Sequence, residues 1–135
     1  MLITIEFLEK WNFEKLLPIN VRSIKIQNQY KIFKQNLIKN NIPIDKYISN
    51  KFIQSKKYSI NRNNFPYNIP NNMLHYVLWI NPLYSNKISD KEICEIIIEK
   101  MKELNYNEYF CFENQKGCRS VLETPHYQVF YRKCE

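Results

Sequence analysis

At 135 residues the chain has room for one hydrophobic core and too little for two ordinary domains, so a single domain over 1–135 is expected. A composition of 44% apolar and 15% aromatic residues with a single glycine excludes a disordered or low-complexity polymer and points to an aromatic-rich globule. The net charge of +7 favours anionic partners, although the crowding of Lys, Asn and Ile is the skew an AT-rich genome imposes on surface positions.

In chain order, "ITIEFLEKWNFEKLL", residues 3–17, repeats apolar side chains at helical spacing through Ile5, Leu8, Trp11 and Leu16, and Pro18 halts it. From Asn20 to about Asn40, Val21, Ile24, Tyr30, Phe33, Leu37 and Ile38 make a stripe opposite lysines and glutamines, closed by "NNIP". A shorter helix is predicted in "IDKYISNKFI", with Ile44, Tyr47, Ile48 and Phe52 facing inward. Residues 56–72 are basic and asparagine-rich, then punctuated by Pro66 and Pro70, which predicts a loop.

"LHYVLWI" then predicts a strand, stopped by Pro82. Ser89 and Glu92 form a capping box for a helix over "DKEICEIIIEKMKEL". "EYFCFE" is a second strand, "NQKGC" a turn around the one glycine, and "HYQVFYRK" a third strand. The expected class is α+β, with a helical N-terminal half packed on a small mixed β-sheet formed by the C-terminal half. The last two strands should pair antiparallel, and a right-handed crossover would make the first two parallel.

The chain has two histidines, and each opens a His-Tyr-x-x-aromatic strand. Side chains alternate along a strand, so His75, Val77 and Trp79 share one face, and His126, Gln128, Phe130 and Arg132 share one face of theirs. If those faces coincide and the strand ends lie side by side, the two imidazoles meet as an acid–base pair near neutral pH, suited to phosphoester hydrolysis. The plain alternative is two strands that happen to begin alike. Between the last two strands, Asn114, Arg119 and Ser120 offer donors to an anion beside His126. The chain's four arginines, Arg22, Arg62, Arg119 and Arg132, stand where lysine is otherwise the rule, and arginine suits bidentate contact with phosphate.

"FPYNIPNNMLHYVLWINP" resembles the Pro-Tyr-Gly-Ile-Pro and His-x-x-x-Trp segment of the fungal N-acetylglucosamine-induced protein family, a domain without assigned activity. "YFCFENQKGCRSVLETPHYQVF" is similar to that family's closing segment, and "VRSIKIQNQY" to its Arg-Ser-x-x-x-x-x-x-Tyr helix. The resemblance implies motif positions at Arg22, Tyr30, Pro66, Tyr67, Pro70, His75, Trp79, Asn114, Ser120 and His126. This chain departs from the pattern at Asn68, where the family has glycine, at Gln115 and Lys116, where it has prolines, and at Gln128, where it has a second closing histidine.

Taken together, these residues predict a polar pocket for a phosphate-bearing small molecule or nucleic-acid end. His75 and His126 are its candidate catalytic pair, and Arg22, Tyr67, Asn114, Arg119 and Ser120 its candidate ligand contacts. Whether it is an enzyme stays open. The alternative is a non-catalytic basic module that binds nucleic acid or a protein through its lysines, with Tyr47, Tyr58 and Tyr67 stacking on bases.

No P-loop, dinucleotide turn or carboxylate cluster is present, so no cofactor is expected. A zinc site from Cys111, Cys118, His126 and Cys134 would need gaps that are long and irregular against known spacings, and no metal is expected either. With no C-x-x-C pair, no secretory signal and no apolar run near ~20 residues, the expectation is a soluble cytoplasmic protein with reduced thiols and no membrane partner.

Overall fold

The computed structural model of the protein describes residues 22–113 and 124–134, together with Thr4 and Glu6. The helix expected over 3–17 and the turn at "NQKGC" lie outside the described residues, apart from those two positions.

Helix α1, Ile24–Lys39, starts where the Ser23 hydroxyl accepts the Ile26 N–H, and it buries Tyr30 and Leu37. Asn41 follows it at φ 56°, a left-handed position that asparagine tolerates and that usually falls to glycine. Helix α2, Ile44–Ile48, runs into a π-turn at Ser49–Ile53 that ends on Gln54 at φ 53°.

Strand β1, Tyr58–Arg62, falls inside the segment expected to be a loop. Its sequence YSINR is polar and it is an edge strand, so the hydrophobic alternation that betrays a central strand is weak here. Pairing with β2 supplies what the side chains do not: Tyr58 lies opposite Ile80 and Ile60 opposite Leu78. Apart from Lys56 and Lys57, the loop is confined to residues 63–72, after β1.

Strand β2, Met73–Ile80, is followed by a 3₁₀ turn at Pro82–Tyr84 and by helix α3, Asp90–Glu103. The α3 cap is half of the predicted box: the Ser89 hydroxyl accepts the Glu92 N–H at 3.1 Å, while the Glu92 carboxylate turns to Lys57. Strands β3, Glu108–Phe112, and β4, His126–Arg132, complete the sheet.

The sheet order is β1-β2-β4-β3 and every pairing is antiparallel. β2 and β3 do run in the same direction across the α3 crossover, but β4 inserts between them, so they are never neighbours. The class is α+β, and what was expected as a mixed sheet is an antiparallel one.

Helices cover both faces. On one, Tyr76, Leu78, Ile80, Val129 and Tyr131 pack against Ile93, Ile96 and Ile97 of α3. On the other, Val77 and Trp79 pack against Ile48 and Ile53 of α2 and the π-turn. At ~25 cal/mol per Å² of apolar surface, the eight buried side chains of the α3 cluster are the main stabilising block. Among the described residues no helix is long and apolar enough to cross a membrane.

Candidate functional site

The second face differs from the first in what its strands place inward. His75, Val77 and Trp79 from β2 line up against Phe130, Gln128 and His126 from β4. The histidines share a face, as their parity implies. They do not share a spot: antiparallel pairing sets the two strand starts at opposite ends, so His75 faces Phe130 while His126 faces Trp79. Four residues of strand separate them, about 13 Å. The expected meeting of the two imidazoles is therefore absent, and Gln128 sits between them.

His75 is 1% exposed, stacked on Phe130 with ring centroids 4.4 Å apart and edged by Tyr67 at 4.6 Å. Its Nδ1 accepts the Tyr67 backbone N–H at 3.1 Å. An Nδ1 that accepts carries no proton, so the neutral ring holds its proton on Nε2 and donates it to Gln128 Oε1 at 2.5 Å. Burial pushes the His75 pKa down to about 3, with the Gln128 bond opposing and the Arg22 charge assisting. At neutral pH this imidazole is uncharged with both nitrogens occupied.

His126 is fixed in the opposite tautomer, with its proton on Nδ1. Its Nδ1–H donates to the Thr124 carbonyl at 2.9 Å, which leaves the lone pair on Nε2. Thr124, 2% exposed, is held in turn through its hydroxyl, which donates to Asp45 of α2 at 2.8 Å. The His126 ring packs on Trp79 at 4.8 Å, and Trp79 on Phe52 at 6.2 Å.

Beside them a cavity of about 80 Å³ opens between the sheet, α1, α2 and the loop after β1. Tyr30, Phe33, Tyr47, Phe52, Phe65 and Trp79 wall it, and Arg22, Arg62, Asn63, Gln128 and His126 bring polar groups to it. Arg22 is positioned by its surroundings: Nε donates to the Phe65 carbonyl at 2.7 Å, and the guanidinium lies over the rings of Tyr30 at 4.5 Å and Tyr67 at 5.0 Å. Among the described residues no carboxylate pairs with Arg22 or Arg62, and none lines the cavity.

Of the residues singled out in the sequence, Arg22 and His126 line the cavity and His75 and Tyr67 sit directly behind it. Asn114, Arg119 and Ser120 lie outside the described residues. Sequence reasoning did not single out Asn63 or Gln128 as contacts. The available signal was a glutamine in an inward slot of "HYQVFY", since a buried polar group needs a partner. Tyr67 is only 3% exposed, which takes it out of any surface platform for stacking bases. Cys111 faces Val129 on the α3 side of the sheet and His126 the opposite side, so the two do not converge on one ion. Among the described residues no three ligating side chains cluster.

Fold and site together define a small α+β domain with a cationic, aromatic-walled cavity beneath one face of a four-stranded antiparallel sheet. The chain belongs to the family of proteins of unknown function DUF3605, whose profile matches residues 14–132. It is similar in fold to the crystal structure of HTC1, with a TM-score of 0.62 at 18% identity over 96% of this chain and 82% of that one. No curated protein matches it.

Proposed function

We propose that this is a cytoplasmic domain that binds the phosphate end of a small molecule in the cavity beside His126. The observation that carries the reading is the charge of the lining: Arg22 and Arg62 with no carboxylate among the described residues. An arginine lying over two tyrosine rings is held in place before any ligand arrives, which lowers the ordering cost of a bidentate contact. The volume of about 80 Å³ suits a terminal group, and the aromatic walls suit the ligand body at the mouth. Asn114, Arg119 and Ser120 add donors in this reading, and the resemblance to the fungal N-acetylglucosamine-induced proteins supports including sugar phosphates among the candidates. Any hydrolysis of the bound group is assigned to His126, the histidine that lines the cavity.

Thermal shifts against nucleotides, sugar phosphates and short 5′-phosphorylated RNA test the reading. A ligand at ~100 times its Kd adds ~2.7 kcal/mol, a shift of several degrees. Arg22→Ala should weaken binding by about tenfold or more, because a charged hydrogen bond is worth ~1.5–3 kcal/mol, and Arg22→Lys should not restore it. Stabilisation by RNA alone, lost steeply with salt and indifferent to Arg22, overturns the reading in favour of a basic nucleic-acid surface.

A further inference from the structure

We infer that Gln128 and Asn63 are a pair of amide donors oriented into the cavity by His75 and by the loop after β1, and that the site takes a terminal, fully ionised phosphomonoester. The inference rests on the phosphate reading and specifies its chemistry.

The chain of constraint begins at the backbone. The Tyr67 N–H can only donate, so His75 Nδ1 can only accept, and the neutral ring places its proton on Nε2. The amide atom of Gln128 that meets this N–H at 2.5 Å must be the oxygen. Its NH₂ is thereby turned away from His75. Gln128 is 6% exposed and lines the cavity, and among the described residues its NH₂ has no acceptor. A buried donor without an acceptor costs ~1–3 kcal/mol, so a group that supplies one gains that much by binding.

Asn63 is set independently in the same sense. Its Oδ1 accepts the Phe65 N–H at 2.8 Å, which fixes its amide the other way round, with the NH₂ towards the cavity. That nitrogen lies 3.5 Å from His75 Nε2, and because Nε2 already carries a proton the two are donors side by side. The terminal nitrogens of Arg22 and those of Arg62 add charged donors to the two amides in the cavity lining. A phosphomonoester dianion brings three acceptor oxygens and no proton; a diester brings two and half the charge. In this arrangement His75 is a positioning residue rather than a proton carrier, since it touches Gln128 and not the ligand.

The test is NMR of the full chain labelled with ¹⁵N at pH 7, titrated with methyl phosphate, dimethyl phosphate and sulfate. The expected result is an Nε2–H tautomer for His75 before and after titration, with methyl phosphate moving the side-chain NH₂ signals of Gln128 and Asn63. Dimethyl phosphate should bind about tenfold more weakly or worse, the loss of one charged hydrogen bond. In a double-mutant cycle, His75→Phe should weaken methyl phosphate about tenfold on its own and not at all in the Gln128→Leu background, which a merely structural role for His75 does not produce. If His75→Phe does not fold, the tautomer spectrum decides alone: a proton on Nδ1, or an imidazolium, overturns the inference. Arg22-dependent binding that leaves both amide signals still overturns it while the phosphate reading stands. Sulfate moving both amides where neither phosphate ester binds overturns the phosphate reading and keeps the donor site.

Discussion

The two faces of the sheet are built from alternate residues of the same two central strands, yet they carry opposite chemistry. Towards α3, Tyr76, Leu78, Ile80, Val129 and Tyr131 close an apolar cluster in which the Tyr131 hydroxyl donates to the Ile97 carbonyl at 2.8 Å. Towards α1 and α2, the neighbouring positions hold His75, Trp79, His126 and Gln128. Buried polar side chains are costly unless bonded, and here they are bonded to backbone groups and to one another: Tyr67 N–H to His75 to Gln128, and His126 to the carbonyl of Thr124, whose hydroxyl donates to Asp45. A period of two thus lets one strand pair stabilise the domain with one set of residues and build a cavity with the other.

The sharpest way to break this division is to damage the α3 face. Leu78 is 0% exposed, and Leu78→Ala should cost about 3 kcal/mol in urea unfolding while leaving the phosphate affinity of the folded fraction unchanged. A matching loss of affinity would show that the faces are not separable.

The next effect belongs to the polar face and depends on pH. His75 is held neutral with its pKa lowered from 6.5 to about 3, so between those values the unfolded chain binds a proton that the native chain does not. Stability therefore falls as pH drops below 6.5, by about 2 kcal/mol at pH 5 relative to neutrality. Unfolding curves at the two pH values read this slope directly, and His75→Gln should flatten it. Glu108, whose pKa is lowered by its bonds to Cys134 and Arg132, contributes with the same sign but at more acidic pH, below the ordinary carboxylate range. The window between pH 5 and 6.5 thus excludes Glu108, and the difference made by His75→Gln separates His75 from the second histidine.

Smaller still is the loss of the Tyr131 hydroxyl: Tyr131→Phe strands the Ile97 carbonyl's buried side-chain bond and should cost about 1 kcal/mol, with no pH dependence. The smallest effect is expected at the edge. Lys57 and Glu92 form an ion pair at 2.9 Å between the approach to β1 and α3, with both side chains 35% exposed, and Lys57→Ala should change stability by no more than about 0.5 kcal/mol. A loss comparable to that of Leu78→Ala would mean that the edge strand is held by far more than its ladder.

How much of this was legible in the sequence follows from which residues report on their surroundings. Helix α3 was plain, since Ser89, Glu92 and the Ile93–Ile96–Ile97 spacing state cap and face together. β2 and β4 were plain because central strands are rich in β-branched and aromatic residues. β1 was not, because YSINR owes its extended form to the ladder with β2 rather than to its own side chains. The shared parity of His75 and His126 was readable, but the direction of β4 relative to β2 was not, and direction decides whether equal positions in two strands meet or stand at opposite ends. Asn63 escaped notice because its amide is set by a turn whose geometry depends on β1 ending where it does.

The insertion of β4 between β2 and β3 has a bearing on how the chain is made. Among the described residues β3 pairs with β4 alone, and β2 has the polar edge strand β1 on its other side. Both wait for a segment synthesised after them. While the ribosome is still reading the codons for His126–Arg132, the apolar positions of β2, β3 and α3 have no complete surface to close against. The nascent domain therefore completes its sheet in one late step, and until then its exposed strand edges are the surface that a chaperone would have to cover.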